Sequence, residues 1–270
     1  LRLFRNPIVA IGTSTAFVVG MAFMGAIVFL PLFLQLARGA SASSSGLLLI
    51  PFTLGTVAGA VISGQIMMRT GKYRFLPRIG LPVAMSGFAL MAWIGGTIPL
   101  VGVAGLAVMI SIGLGMCFPV LLVSIQNSSP RQDLGTATSA LTFFRSMGGS
   151  IGVSALGAAL SHQVSDQVRT GLTSLVQAGT VTKEQLASLG GDAHSIPDLG
   201  SLPVPIRDLY EHAFGEATGH LFLIALPFAV LSLLLLLFIE EKPMRTTVLR
   251  DDEIAAAAEP EALSATVAER

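Results

Sequence analysis

The stretch Gly64-Gln65-Ile66-Met67-Met68-Arg69-Thr70-Gly71-Lys72-Tyr73-Arg74, with Arg78 just beyond it, decides how the rest of the chain is read. Arg69, Lys72, Arg74 and Arg78 crowd one short segment with no acidic residue among them. Long apolar runs flank it on both sides. Under the positive-inside rule a short basic loop between two membrane-length segments belongs in the cytoplasm. Placing it there sets the direction of every other span.

Composition agrees with a membrane protein. The chain is 52% hydrophobic and 12% charged, with a mean hydropathy of +0.75, whereas soluble domains are about a quarter charged. The formal net charge of +0 hides an uneven distribution, so the pattern carries the information rather than the total. Cys117 is the only cysteine, which excludes a disulfide framework and a cysteine metal site. His162, His194, His212 and His220 lack ligand spacing. No phosphate-binding glycine loop or nucleophile–base arrangement is present, and Gly113 and Gly115 sit inside an apolar run. The reading is therefore not an enzyme, with no cofactor, no metal and no nucleic-acid partner expected. The lipid bilayer is the partner that composition implies.

Six segments reach the length of about 20 mostly apolar residues that a spanning helix needs. They cover approximately 8–36, 46–68, 79–98, 101–125, 135–160 and 219–239. The expected fold is an all-α membrane protein of six transmembrane helices, five within 1–160 and the sixth within 219–240. Both ends then fall on the cytoplasmic side, with a tail over 241–270 that is acidic, alanine-rich and expected to be disordered. Charge supports the topology independently. Arg2, Arg5, the Arg69–Arg78 cluster, Arg131, Lys242, Arg245 and Arg250 all fall inside, and the short loops opposite offer Arg38. Residues 161–218 read as a polar extracytoplasmic loop with short helices. Thr182 and Gln185 suggest a capping box for one over 183–189. Ile206, Leu209, Tyr210, Ala213 and Phe214 suggest an amphipathic face for another.

Small residues recur four apart at Gly55, Gly59 and Ser63, at Ser111 and Gly115, and at Gly148 and Gly152. Such faces allow close helix approach in lipid. Arg145 lies about ten residues into the fifth span, roughly 15 Å deep at 1.5 Å per residue. A mid-membrane arginine costs a few kcal/mol unless paired or wet, so Arg145 is expected to face a cavity or the bundle interior. It serves either as an electrostatic element of a transport cavity or as a structural post. No span has an interior Asp or Glu; Glu240 and Glu241 lie only at the end of the last. Gln35 and Gln126 are candidates for pore lining or for helix-to-helix bonding. Phe144 and the other phenylalanines would make any cavity apolar.

Gly64, Arg69, Gly71 and Lys72 resemble the glycine-and-basic loop signature of the major facilitator superfamily, with Met68 where that pattern has an aspartate. A second match is more specific. The run Pro130, Arg131, Asp133, Gly135, followed by Arg145, Gly148, Gly149 and Gly152, resembles the penultimate-span region of fourteen-span drug:proton antiporters of that superfamily. The resemblance implies the C-terminal bundle of a multidrug efflux permease in the cytoplasmic membrane. It implies export of lipophilic or cationic compounds in exchange for protons, by rocking against an N-terminal bundle of the same polypeptide that is absent here. The chain begins at Leu1, in keeping with a larger parent. The coupling acid would lie in the absent half, and the loop from Gly64 to Arg74 would act in cytoplasmic gating. Two alternatives stay open: an exporter of one metabolite such as a siderophore, antibiotic or peptide, and a solitary six-span scaffold or channel-like protein.

Overall fold

The computed structural model describes residues 2–38, 41–95, 97–177 and 204–238. Among these residues every regular element is helical. A short 3-10 turn (Arg2–Arg5) leads into α1 (Pro7–Arg38), followed by a short α2 (Ala42–Leu47) and α3 (Leu49–Thr70). Then come α4 (Phe75–Ile94), α5 (Leu100–Ser128), a 3-10 turn (Arg131–Asp133), α6 (Leu134–Gln177) and α7 (Val204–Leu237).

Each boundary has a local cause. Asn6 caps α1 by accepting the Ile8 amide at 3.1 Å, and its side-chain amide also donates to the Ser128 carbonyl at 2.8 Å. One residue thus ties the start of α1 to the end of α5. Ser41 caps α2 by accepting the Ser44 amide. Gly71 ends α3 in the left-handed conformation at φ 69°, its amide donating back to the Met67 carbonyl. Glycine closes a helix this way because it lacks the Cβ that makes that region costly. Helix α4 starts at Phe75, four residues ahead of the span expected at 79. Proline is tolerated in a first turn, where its missing N–H has no partner to lose, and Pro77 sits there. Gly95 then ends α4 at Ile94 rather than 98.

Packing is organised on α1 and α5. Helix α1 runs beside α6, α7 and α5, while α5 lies between α3 and α4, and α4 also meets α7. Glycines set how close these helices come. A Cβ at Gly55 would run into the Ser111 hydroxyl of α5, with the Val108 backbone just beyond it, one at Gly59 into the Ile112 backbone, and one at Gly115 into Thr56. Ser63 joins that seam by donating to the Met116 carbonyl at 3.1 Å. Gly113 faces the other way, against Gly80 and Ala84 of α4. The pair at 113 and 115 therefore serves two different helix contacts, which accounts for both glycines without any nucleotide.

Five stretches are long and apolar enough to cross a membrane: Pro7–Gln35, Ala42–Thr70, Phe75–Ile94, Leu100–Ser128 and Gly219–Leu237. Helix α6 has ample length but is more polar, because serines, threonines, glycines and Arg145 dilute its apolar residues. It is held in the bundle by packing on α1 rather than by its own hydropathy. It also continues unbroken past Leu160, and α7 begins at Val204, well ahead of Gly219. The two extensions pack together through Val164, Val168 and Ala213, with Leu209 against Gly171. The expected helix over 183–189, and the tail over 241–270, lie outside the described residues.

Candidate functional site

The α1–α6 crossing is the tightest place in the bundle around a charge. Gly148 abuts the Phe17 backbone and Gly152 the Met21 backbone, while Gly149 meets the Met24 side chain. In return, a Cβ on Gly20 of α1 would collide with the carbonyl oxygen of Arg145. Four glycines thus bring the backbone of Arg145 directly against the middle of α1. The depth follows from two helices. Arg145 is roughly 16 Å along α6 from Leu134 at about 1.5 Å per residue, and Gly20 is near the midpoint of α1.

The half-buried guanidinium of Arg145 lies over the ring of Phe118 on α5, 5.1 Å from its centroid. Phe118 in turn meets Phe23 of α1 edge-to-face at 5.1 Å, and Phe23 meets Phe52 of α3 at 5.8 Å. A line of three rings from three helices therefore ends in one cation. Among the described residues the guanidinium makes no hydrogen bond or ion pair. A charged side chain at this depth costs at least about 2.5–3.5 kcal/mol. One cation–π contact returns about 0.5–2 kcal/mol. The ring alone does not offset the charge, so the donors of Arg145 require water or an acceptor that these residues do not supply.

Other expected site residues fall elsewhere. Phe144 turns from Arg145 to pair with Phe4 at 5.7 Å and Phe143 at 5.6 Å. Gln126 is exposed and donates to the Thr138 hydroxyl at 3.3 Å, linking α5 to α6. Gln35 is half-buried near the end of α1, roughly 22 Å along the helix from Gly20. The structure gathers Arg145, Phe118, Phe23 and Phe52; it does not bring Gln35, Gln126 or Phe144 to that cluster. No spacing in the sequence could have shown the stack, since its rings come from three helices.

The basic loop is a separate site at the end of the bundle where α1, α4 and α6 begin. Arg69 and Lys72 are exposed, whereas Tyr73 is buried beside Met67, Leu76 and Val120. Arg74 reaches across to α7 and donates to the Leu237 carbonyl at 2.9 Å, capping that helix end with a cation. Its Nε is buried without a partner among the described residues. The signature glycines split into two kinds. Gly148, Gly149 and Gly152 are required by contact, but nothing lies within 4 Å of a Cβ at Gly64 or Gly135. Of the remaining signature residues, Pro130 opens the 3-10 turn before α6, Arg131 is exposed, and Asp133 sits at the positive end of that helix dipole.

The exposed faces of the bundle differ in chemistry. Helix α7 shows Leu223, Val230, Leu231, Leu234 and Leu237. Helix α6 instead shows a row of hydroxyls, Ser139, Thr142, Ser146, Ser150 and Ser154, interrupted by Phe143 and Ile151. Thr142, Ser150 and Ser154 donate to carbonyls one turn back, so their donors are satisfied and their lone pairs remain open.

Several membrane-length helices, glycine-packed around a mid-depth cation, define a multi-pass α-helical membrane protein. The chain belongs to the Major Facilitator Superfamily, which residues 1–153 match, and is a transporter rather than an enzyme. It is 32% identical over 93% of its length to an uncharacterized MFS-type transporter of Mycobacterium tuberculosis, covering 35% of that protein. It is 33% identical over 58% of its length to a tetracycline resistance determinant of Streptomyces rimosus, covering 45% of it. A multidrug transporter protein of Bacillus subtilis is 33% identical over 59% of this chain, with 29% of that relative covered. The chain thus spans less than half the length of these relatives. Two solved structures of a bacterial homolog to the human lysosomal transporter Spinster, both inward-facing, match with TM-scores of 0.65 and 0.62. Identities are 17% and 20%, over 87% and 90% of this chain and 49% and 51% of theirs, so this likeness is one of fold.

Proposed function

We propose that this bundle is the C-terminal half of a secondary active exporter that moves lipophilic small molecules outward in exchange for protons. In this reading it rocks against a preceding bundle of the same polypeptide around a site near mid-depth, in the cytoplasmic membrane, with both ends of the segment inside. The observation that carries the proposal is the placement of Arg145 on a hydroxyl-faced α6, within a family of transporters. A lipid-facing helix has no use for an uncompensated cation at that depth. The side facing a second bundle and a water-filled route does. The coverage of the relatives, under half of each, supports a partner bundle, and the names of the tetracycline and multidrug relatives support efflux. The proton-carrying acid belongs to the preceding half in this reading, because α1, α3, α4 and α5 contain no Asp or Glu and those of α6 and α7, Asp166, Asp208, Glu211 and Glu216, lie beyond Leu160 and before Gly219. Gln35, Gln126 and Phe144 would border the route away from the Arg145 cluster.

Arg69 and Lys72, exposed at the basic end, would latch the cytoplasmic side closed against the other half in one state. The test is proton-gradient-driven accumulation of a fluorescent lipophilic compound in everted vesicles carrying the complete protein. Accumulation that collapses with a protonophore is expected, and reversing Arg69 and Lys72 to Glu should lower it at unchanged membrane level. Accumulation that is indifferent to the protonophore would refute proton coupling, and none at all would refute export of this compound class.

A further inference from the structure

The geometry points to Arg145 and Phe118 as a receptor for the anionic group of a planar aromatic substrate. This rests on the export reading above and sets the charge of what is carried. The guanidinium lies over the Phe118 ring at 5.1 Å, and one ring cannot take all five of its N–H donors. A guanidinium presents its five donors in a rigid plane that matches a carboxylate bidentately. Among the described residues no acceptor takes those donors. Phe118 and Phe23 are themselves half-buried and stand edge-to-face, offering ring surface beside the charge. An aromatic anion could lay its ring on Phe23 and Phe118 and place its oxygens in the fork of Arg145.

The sign of the field excludes the opposite choice in this half. Helices α1, α3, α4 and α5 hold no Asp or Glu, α6 holds none before Asp166, far along its length, and the acids of α7, Asp208, Glu211 and Glu216, all precede its apolar span Gly219–Leu237. A ligand cation at this depth would meet Arg145 and no compensating carboxylate from this bundle. Lipid phosphate is not the ligand, because the site lies near the middle of α1 and headgroups lie at the ends. A dissolved aromatic carboxylate fits each of these constraints.

The test uses 9-anthracenecarboxylate and 9-anthracenylmethylammonium, which share a ring system and differ in charge, in equilibrium dialysis with the purified complete protein. Wild type is expected to hold the carboxylate about tenfold tighter than the ammonium, as a charge-assisted fork should. Arg145→Gln should erase that preference, Arg145→Lys should keep about a third of it as a point charge without a fork, and Phe118→Leu should weaken both probes. If Arg145→Gln does not fold, Arg145→Lys and Phe118→Leu carry the same comparison. Equal binding of the two probes by wild type, binding of neither, or an unchanged carboxylate affinity in folded Arg145→Gln would each overturn the receptor. Binding needs no gradient, so the two proposals fail separately. Gradient-driven export of the ammonium alone would leave the exporter and sink the receptor. Selective carboxylate binding without export would do the reverse.

Discussion

Replacing Gly148 by Val probes the contact on which the arrangement at Arg145 depends. A Cβ at residue 148 would strike the carbonyl oxygen of Phe17 and approach its carbonyl carbon at 2.7 Å and its Cα at 2.9 Å. Ordinary contact begins near 3.4 Å. All three atoms are backbone, so no rotamer change relieves the clash, and α1 and α6 must part by about 0.5–1 Å, or more for the valine methyls. Parting there also loosens the seam at Gly20, Gly149 and Gly152, because the same two helices make those contacts. Overpacking of this kind costs about 1–3 kcal/mol, and the upper part of that range applies where backbone is struck. Valine recovers only a few tenths through its better helix propensity than glycine. The net loss of about 2 kcal/mol should lower the apparent melting temperature by roughly 5 °C. Heating detergent-solubilised protein and following the monodisperse peak by size-exclusion chromatography measures it. An unchanged melting temperature, or a drop matched by Gly64→Val, would refute the claim that this crossing is set by glycine contact.

Gly64→Ala and Gly135→Ala should leave stability unchanged or raise it by up to about 1 kcal/mol, since a Cβ meets open space at both. Loss of transport in these stable variants would assign the two glycines to a surface outside this bundle. Gly71→Ala should cost about 1–2 kcal/mol through its left-handed backbone, with Gly71→Asn milder, as thermal melts would show. Arg74→Gln removes the cation on the Leu237 carbonyl and should cost about 0.5–1.5 kcal/mol, discounted for exposure. Faster hydrogen exchange confined to the last turn of α7 is the expected sign, and unchanged exchange there would contradict the cap.

What was legible before the structure is what local pattern controls. Apolar length located the helices, and four-residue spacing found the seams at Gly55, Gly59 and Ser63 and at Gly148 and Gly152, because a helix repeats on itself whatever it touches. Arg145 stood out for the same reason, a charge within an apolar run. Partners across the fold were not legible. Nothing in the order of residues joins Arg74 to Leu237, Asn6 to Ser128, or Arg145 to Phe118, because tertiary packing alone brings them together. Gly20 does as much as Gly148, yet no sequence pattern marks it, since its need lies on the neighbouring helix. The extension of α6 past Leu160 was hidden by polarity, because a helix leaving the apolar region loses the hydropathy that marks a span but keeps its hydrogen bonds.

On the proposed reading, the α6 face beside Arg145 lines a route open alternately to each side. Cys117, the only cysteine, is fully buried, so a single introduced thiol can report on that face. Ser146→Cys, on the exposed hydroxyl row, would be treated with a membrane-impermeant maleimide in right-side-out and in everted vesicles of the complete protein, with and without a proton gradient. Labelling from both sides, with the gradient shifting the balance between them, is the expected result. Labelling from one side only under every condition would contradict it.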